Sequence, residues 1–224
     1  MRARLTGLFA APLVAALLAT RIAHAAHVPA PDPLQGDGGV ASFYTWPGEV
    51  PDAPGQMLRT EPLDPASGLE MAGEQVRILY SSTDGVDGKT PVVVSGAYFV
   101  PKGTAPAGGW PLVAWAHGTT GLADSCAPSW NPRSKRDADY LDTWLGQGYA
   151  VVATDYQGLG TPGPHPYLAV RPEAYSVLDS VRAVLKRFPK VANQIVIVGQ
   201  SQGGQAAFAT AGVAPSRPIM HPSL

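Results

Sequence analysis

The chain has 224 residues, 45% of them hydrophobic and 15% charged, and its formal net charge is -1. That is an ordinary globular composition. No basic excess and no Lys/Arg cluster beside aromatic residues provides the electrostatic footprint of a nucleic-acid binder, so nucleic acid is excluded as a partner.

Arg2 and Arg4 precede an apolar run over 5–20, and Ala23-His24-Ala25 puts small residues at the two positions a signal peptidase reads. The pattern predicts a secretory signal peptide over 1–25, with Ala25 or Ala26 the last residue removed and the mature protein secreted or periplasmic. The run falls short of the about 20 residues a bilayer needs, and Pro12 interrupts it, so no stable membrane span is expected after signal removal. Cys126 is the single cysteine, and an unpaired thiol is unusual in an oxidising compartment. A partner outside the chain and a buried free thiol are both open readings.

From 26 to 73 the sequence is rich in Pro, Gly and Ala. It reads as an extended segment whose Phe43, Tyr44 and Trp46 pack on the main domain, because three aromatics so close are poorly placed on a solvated linker. The main domain is expected over 74–224. Alternation at Val76, Ile78 and Tyr80 and the β-rich run 91–100, with Asp-Gly turns between, predict two antiparallel strands. The continuously apolar run 111–116 predicts a strand covered on both faces.

Tyr140, Leu141, Trp144 and Leu145 recur at helical spacing over 134–145, and Gly146 and Gly148 stop the pattern. A second buried strand is expected over 149–154. Over 173–188, Tyr175, Leu178, Val181, Leu185 and Phe188 form one stripe and Asp179, Arg182 and Lys186 the opposite one, which predicts an amphipathic helix ended by Pro189. Strands alternating with helices at these spacings imply parallel βαβ units. The fold class is therefore α/β, with about five core strands and two antiparallel ones at the start.

The chemistry is expected at Gly199-Gln200-Ser201-Gln202-Gly203. Four β-branched residues at 195–198 run into it and Ala206, Ala207 and Ala209 follow, so it reads as strand, sharp turn and helix. A G-x-S-x-G elbow needs that layout, because a strained serine backbone lifts Oγ clear of the sheet. Side chains at 199 and 203 would collide with the neighbouring strand and helix. The bare pattern arises by chance in about one chain in ten of this length; its context is what singles out Ser201 as nucleophile.

Strand 111–116 in turn runs into His117-Gly118-Thr119-Thr120-Gly121, the place of the second oxyanion-hole amide in an α/β-hydrolase. Such a donor is worth about 2.7 to 4 kcal/mol of barrier. His117 itself is read as bracing that loop. His165, between two prolines, and Asp155, at the end of a strand, are considered as partners of Ser201, and loop bracing is the preferred reading of both. No metal-ligand spacing and no phosphate-cradling Gly-rich loop is present, so no metal or other cofactor is expected.

The stretches 110–121, Asp155-Tyr-Gln-Gly-Leu-Gly160, 161–168 and Gly199-Gln-Ser-Gln-Gly-Gly204 resemble the secretory lipase family of α/β-hydrolases, and the resemblance covers roughly 74–214. It implies an exported serine hydrolase acting on ester or lipid substrates, with Ser201 as nucleophile and an oxyanion hole formed by the Gln202 N–H and a loop amide at Thr119. The triad order of that fold is Ser, then Asp or Glu, then His. After Ser201 the chain has no Asp or Glu, and His221 is its one later histidine. The expectation is an α/β-hydrolase fold truncated after the elbow and nearly inactive by itself. An exported serine peptidase of the same fold and a noncatalytic hydrolase remnant are the alternatives, and the sequence favours no oligomeric state.

Overall fold

The computed structural model describes residues 39–219. The expected signal peptide with its cleavage site, and His221, lie outside the described residues.

Among the described residues six strands form one sheet: β1 (Met57–Pro62), β2 (Ala72–Thr83), β3 (Pro91–Pro101), β4 (Trp110–Ala116), β5 (Ala150–Thr154) and β6 (Val191–Gly199). Their spatial order is β1-β2-β3-β5-β4-β6. Pairing is antiparallel from β1 to β5, and β5, β4 and β6 are parallel. Parallel neighbours need crossovers, supplied here by α1 (Lys135–Gly146) between β4 and β5 and α2 (Val170–Arg187) between β5 and β6; α3 (Gln202–Val213) follows β6.

The period of two along a strand separates two cores. Leu112, Ala114 and Ala116 of β4 face one way, with Val177, Val181, Val184 and Ala206 of α2 and α3. Val113 and Trp115 face the other way, with Leu141 and Leu145 of α1. A strand buried on both faces needs apolar residues along its length, as β4 has throughout and β5 has up to Thr154, whose buried hydroxyl is hydrogen-bonded to Tyr80 at 2.7 Å. Ser134 caps α1 by accepting from the Asp137 N–H at 3.2 Å, and Gly148 turns the chain at φ 83° into β5.

Two features differ from the sequence reading. The segment expected to be extended contributes a sixth strand, β1, pairing antiparallel with β2. Its alternation is masked because polar side chains hold it: Arg59 lies 5.9 Å from the Phe43 ring and 5.5 Å from the Trp46 ring, and Glu61 is ion-paired to Arg77. Phe43 and Tyr44 are buried against the sheet. Helix α2 is also not simply amphipathic, since Asp179 and Arg182, expected on a solvated stripe, are buried. Arg182 is ion-paired to Asp179, whose Oδ2 accepts from Ser82 Oγ at 2.7 Å, and the turn at Gly55 packs on the Arg182 stem. No helix among the described residues is long and apolar enough to cross a membrane.

Candidate active site

Ser201 stands between β6 and α3 with φ 56° and ψ -120°. Non-glycine residues reach such backbone only at a cost of about 1 to 3 kcal/mol, and it persists where the surroundings over-determine it. They do so here through two glycines. A Cβ on Gly199 would overlap the backbone of Gly203, and one on Gly203 would overlap the Ala116 carbonyl, so any side chain at either place would push helix and strands apart. The exposed serine makes no side-chain capping bond to α3, which leaves its hydroxyl free of the helix. Gln202 is the first residue of α3, and N–H groups of a first helical turn have no intrahelical acceptor.

The parallel register brings the second loop alongside. Ala116 of β4 is opposite Gly199 of β6, and the Gln200 N–H donates to the Ala116 carbonyl at 3.3 Å. His117-Gly118-Thr119 thus leaves the sheet next to Gln200-Ser201-Gln202. Gly118 lies against the Gln200 side-chain amide, and a Cβ there would overlap Oε1. Thr119 is exposed, and its hydroxyl is hydrogen-bonded to the Tyr167 hydroxyl at 3.1 Å. Beside the loop is a cavity of about 300 Å³, whose lining includes His117, Gly118, Thr119, Cys126, Arg136 and Gln200. Cys126 is a partly buried free thiol, packed so closely on Gly121 that a Cβ there would overlap its Sγ.

Neither described histidine is bonded to Ser201. The His117 Nδ1 is 2.7 Å from the Gly118 carbonyl and its Nε2 is 3.2 Å from the Asp155 carbonyl. Tyr156, in the left-handed region at φ 72°, donates its hydroxyl to the His117 carbonyl at 3.0 Å. His165 places Nδ1 2.8 Å from the Gln157 carbonyl and Nε2 3.1 Å from the Gln202 side-chain nitrogen. Burial depresses both imidazoles below their ordinary value, so each ring is held neutral.

Asp155 is wholly buried at the end of β5. Its carboxylate accepts from Ser95 Oγ at 2.7 Å, from the Ser129 N–H at 2.9 Å and from Ser129 Oγ. The carboxylate ties the loop at 129 to β3 and β5. Desolvation raises its pKa, against the pull of the Ser129 and Ser95 hydrogen bonds.

Glu173, in the first turn of α2, had no functional reading in the sequence. It is only 1% exposed, and its Oε1 accepts from Gln202 Nε2 at 2.8 Å and from the Leu168 N–H at 3.1 Å. Burial raises its pKa, opposed by those two bonds. Nothing in the order of residues marks it, since an acid in the first helical turn is a routine helix-start signal. Among the described residues no cluster of three His, Cys, Asp or Glu side chains could hold a metal ion.

A mixed sheet with helices on both faces, whose strand-turn-helix serine meets a glycine-bearing loop from the adjacent parallel strand, defines an α/β-hydrolase fold. Within that class the model of the secretory lipase family matches residues 134–218, and over this segment the chain is similar to the secretory lipases. Lipase 7 of Candida albicans is 32% identical over 103 residues, 41% of this chain and 23% of that protein. A ligand-bound form of the rice cell wall degrading esterase LipA from Xanthomonas oryzae superposes with a TM-score of 0.57 at 31% identity, over 74% of this chain and 47% of that one. Candida antarctica lipase A in its closed state reaches 0.65 at 22% identity, over 85% and 45%, and speaks for the fold alone. The chain therefore spans about a quarter of the curated relative and about half of these two structures.

Proposed function

We propose that the protein is an exported carboxylic ester hydrolase of the lipase or esterase type, with Ser201 as nucleophile. The observation that carries this reading is the strained backbone of Ser201, φ 56° and ψ -120°, at the junction of β6 and α3. Ser201 Oγ attacks the ester carbonyl carbon as a base takes its proton, and the carbonyl oxygen gains the negative charge. The Gln202 N–H and a backbone amide at Thr119 stabilise that oxyanion. Collapse expels the alcohol, which takes up a proton, and leaves an acyl-enzyme on Ser201 that water hydrolyses.

Support comes from the secretory lipase match over 134–218 and from the esterase and lipase likenesses. Both described histidines are bound elsewhere, so the reading assigns nucleophile and oxyanion donors and no general base. The same engagement favours a second reading, a noncatalytic hydrolase-like protein. An alkyl fluorophosphonate probe with peptide mapping separates the two. The proposed function expects Ser201 to be labelled and Ser201→Ala to abolish labelling and short-chain ester hydrolysis; an unlabelled, folded protein supports the noncatalytic reading.

A further inference from the structure

The loop over 165–168 touches both sides of the proposed oxyanion hole. On the elbow side, Gln202 Nε2 has two hydrogens and two acceptors, Glu173 Oε1 at 2.8 Å and His165 Nε2 at 3.1 Å. His165 Nε2 must then be the unprotonated nitrogen, and its Nδ1–H donates to the Gln157 carbonyl at 2.8 Å. A turn further along α3, Gln205 Nε2 donates to the Leu168 carbonyl at 2.8 Å. On the opposite side the exposed Tyr167 hydroxyl meets Thr119 Oγ1 at 3.1 Å.

The loop is itself fixed from beneath. Leu168 is in the left-handed region at φ 57°, and its N–H donates to Glu173 Oε1 at 3.1 Å. His165 lies under the Tyr156 ring with centroids 6.1 Å apart and nearly parallel planes. A Cβ on Gly158 would overlap Pro164 and the His165 nitrogen. A loop that merely covered the core could be held by apolar packing. Here a carboxyl is buried instead, with Oε2 lacking any hydrogen-bond partner among the described residues, an arrangement that packing alone does not call for.

Resting on the reading of Ser201 as nucleophile, we infer that Glu173 and the 165–168 loop form a clamp that sets the spacing of the two oxyanion donors, gripping the Gln202 side through Glu173 and His165 and the Thr119 side through Tyr167. Glu173, His165 and Tyr167 are positioning residues, because they act through Gln202 and Thr119 and not on the substrate.

The test uses the full chain and two readouts. One is the rate at which an alkyl fluorophosphonate labels Ser201; the other is the pair of Gln202 and Thr119 backbone amide shifts by NMR, which needs no reactivity. Tyr167→Phe removes a single exposed hydroxyl, and labelling is expected to slow about fivefold, the change matching one hydrogen bond of ordinary net strength, with the melting temperature unchanged and the Thr119 amide shifted. Glu173→Leu is expected to slow labelling about tenfold or more, since two donors lose their acceptor, and to shift the Gln202 amide. Glu173→Gln keeps a carbonyl oxygen for those donors, so it restores the wild-type rate to within about twofold.

Wild-type rates and unshifted amides in Tyr167→Phe and Glu173→Leu overturn the clamp. Equal slowing in Glu173→Gln and Glu173→Leu overturns the hydrogen-bond account of it. If Glu173→Leu does not fold, Tyr167→Phe and Glu173→Gln decide. If the wild-type serine is not labelled at all, the proposed function fails, and the amide shifts alone judge the clamp.

Discussion

The first turn of α3 lies directly on the end of β4, because Gly203 leaves no room for a Cβ against the carbonyl of Ala116. Helix and strand meet backbone to backbone there, and that contact holds Ser201 at the top of the sheet. Gly203→Ala must separate them, and several kcal/mol of stability, about 3 or more, is expected to be lost, as for other overpacked sites in a buried core. Gly204 is the contrast. A Cβ on it would come no nearer than 3.9 Å to its closest neighbour, and within a helix alanine is favoured over glycine by about 0.8 to 1 kcal/mol. Gly204→Ala should leave stability unchanged or raise it. Urea unfolding of the two variants beside wild type checks the pair, and a Gly203→Ala variant as stable as Gly204→Ala would show that the contact with the Ala116 carbonyl does not confine position 203.

His165 gives a stability that depends on pH. Burial holds its pKa below the ordinary 6.5, outweighing the Gln157 carbonyl that favours protonation. The unfolded chain therefore binds more protons as the pH falls through about 6.5, and stability is lost from there downward. Glu173 works in the other direction: its pKa is raised by burial, so the folded state binds the extra proton and its contribution is lost as pH rises. Acidification from pH 7.5 to about 5.5 is expected to lower stability through His165, whose ring burial keeps from taking up the proton that the unfolded chain binds. His165→Gln should shrink that loss, and His117, whose pKa is displaced the same way, contributes to what remains. Melts of both proteins at the two pH values measure it.

Ser129 connects two buried groups. Its hydroxyl is hydrogen-bonded to Tyr44 at 2.8 Å and to the Asp155 carboxylate, and Asp155 also takes Ser95. Ser129→Ala leaves the Tyr44 hydroxyl and one Asp155 oxygen short of a partner, for an expected loss of about 1 to 3 kcal/mol. Tyr44, pushed up to about 12 chiefly by burial, stays neutral throughout the working range. A thermal melt at neutral pH reads the loss, and Ser129→Thr, which keeps the hydroxyl, is expected to recover part of it.

The parts legible in the sequence are those whose pattern comes from one element at a time. The β-rich runs became β2 to β6 because alternation and continuous burial are local consequences of the pleat, and Gly199 and Gly203 were legible because the elbow's backbone admits no side chain. What was hidden depends on partners distant in sequence. Strand β1 is bound by Arg59 on aromatic rings and by Glu61 on Arg77, which hydrophobic alternation cannot register. Glu173 and Gln202 are 29 residues apart and meet only when α2 and α3 pack together.

Asp179 shows the same limit and supports the last prediction. On a helical wheel it falls opposite the apolar stripe, yet it is wholly buried, with Arg182 ion-paired to it, Ser82 Oγ donating at 2.7 Å and the Arg217 guanidinium 3.5 Å away. Arg217 in turn stacks 3.7 Å over the Tyr175 ring, and Arg182 Nη2 donates to the Pro218 carbonyl at 2.9 Å. The network thus fastens the segment after α3 to α2 and β2. Desolvation still prevails over both guanidinium groups and raises the Asp179 pKa, so the carboxylate resides there at a cost. Removing one partner of a buried pair strands the other, for about 3 to 5 kcal/mol, whereas replacing both by apolar groups of similar volume is often neutral. Asp179→Leu is therefore expected to destabilise strongly, and Asp179→Leu with Arg182→Leu much less. Part of the loss should remain in the double variant, because the Pro218 and Arg217 carbonyls give up the donors of Arg182. Urea unfolding of the two single variants and the double one provides the cycle, and additive losses would show that Asp179 and Arg182 are held by their surroundings and not by each other.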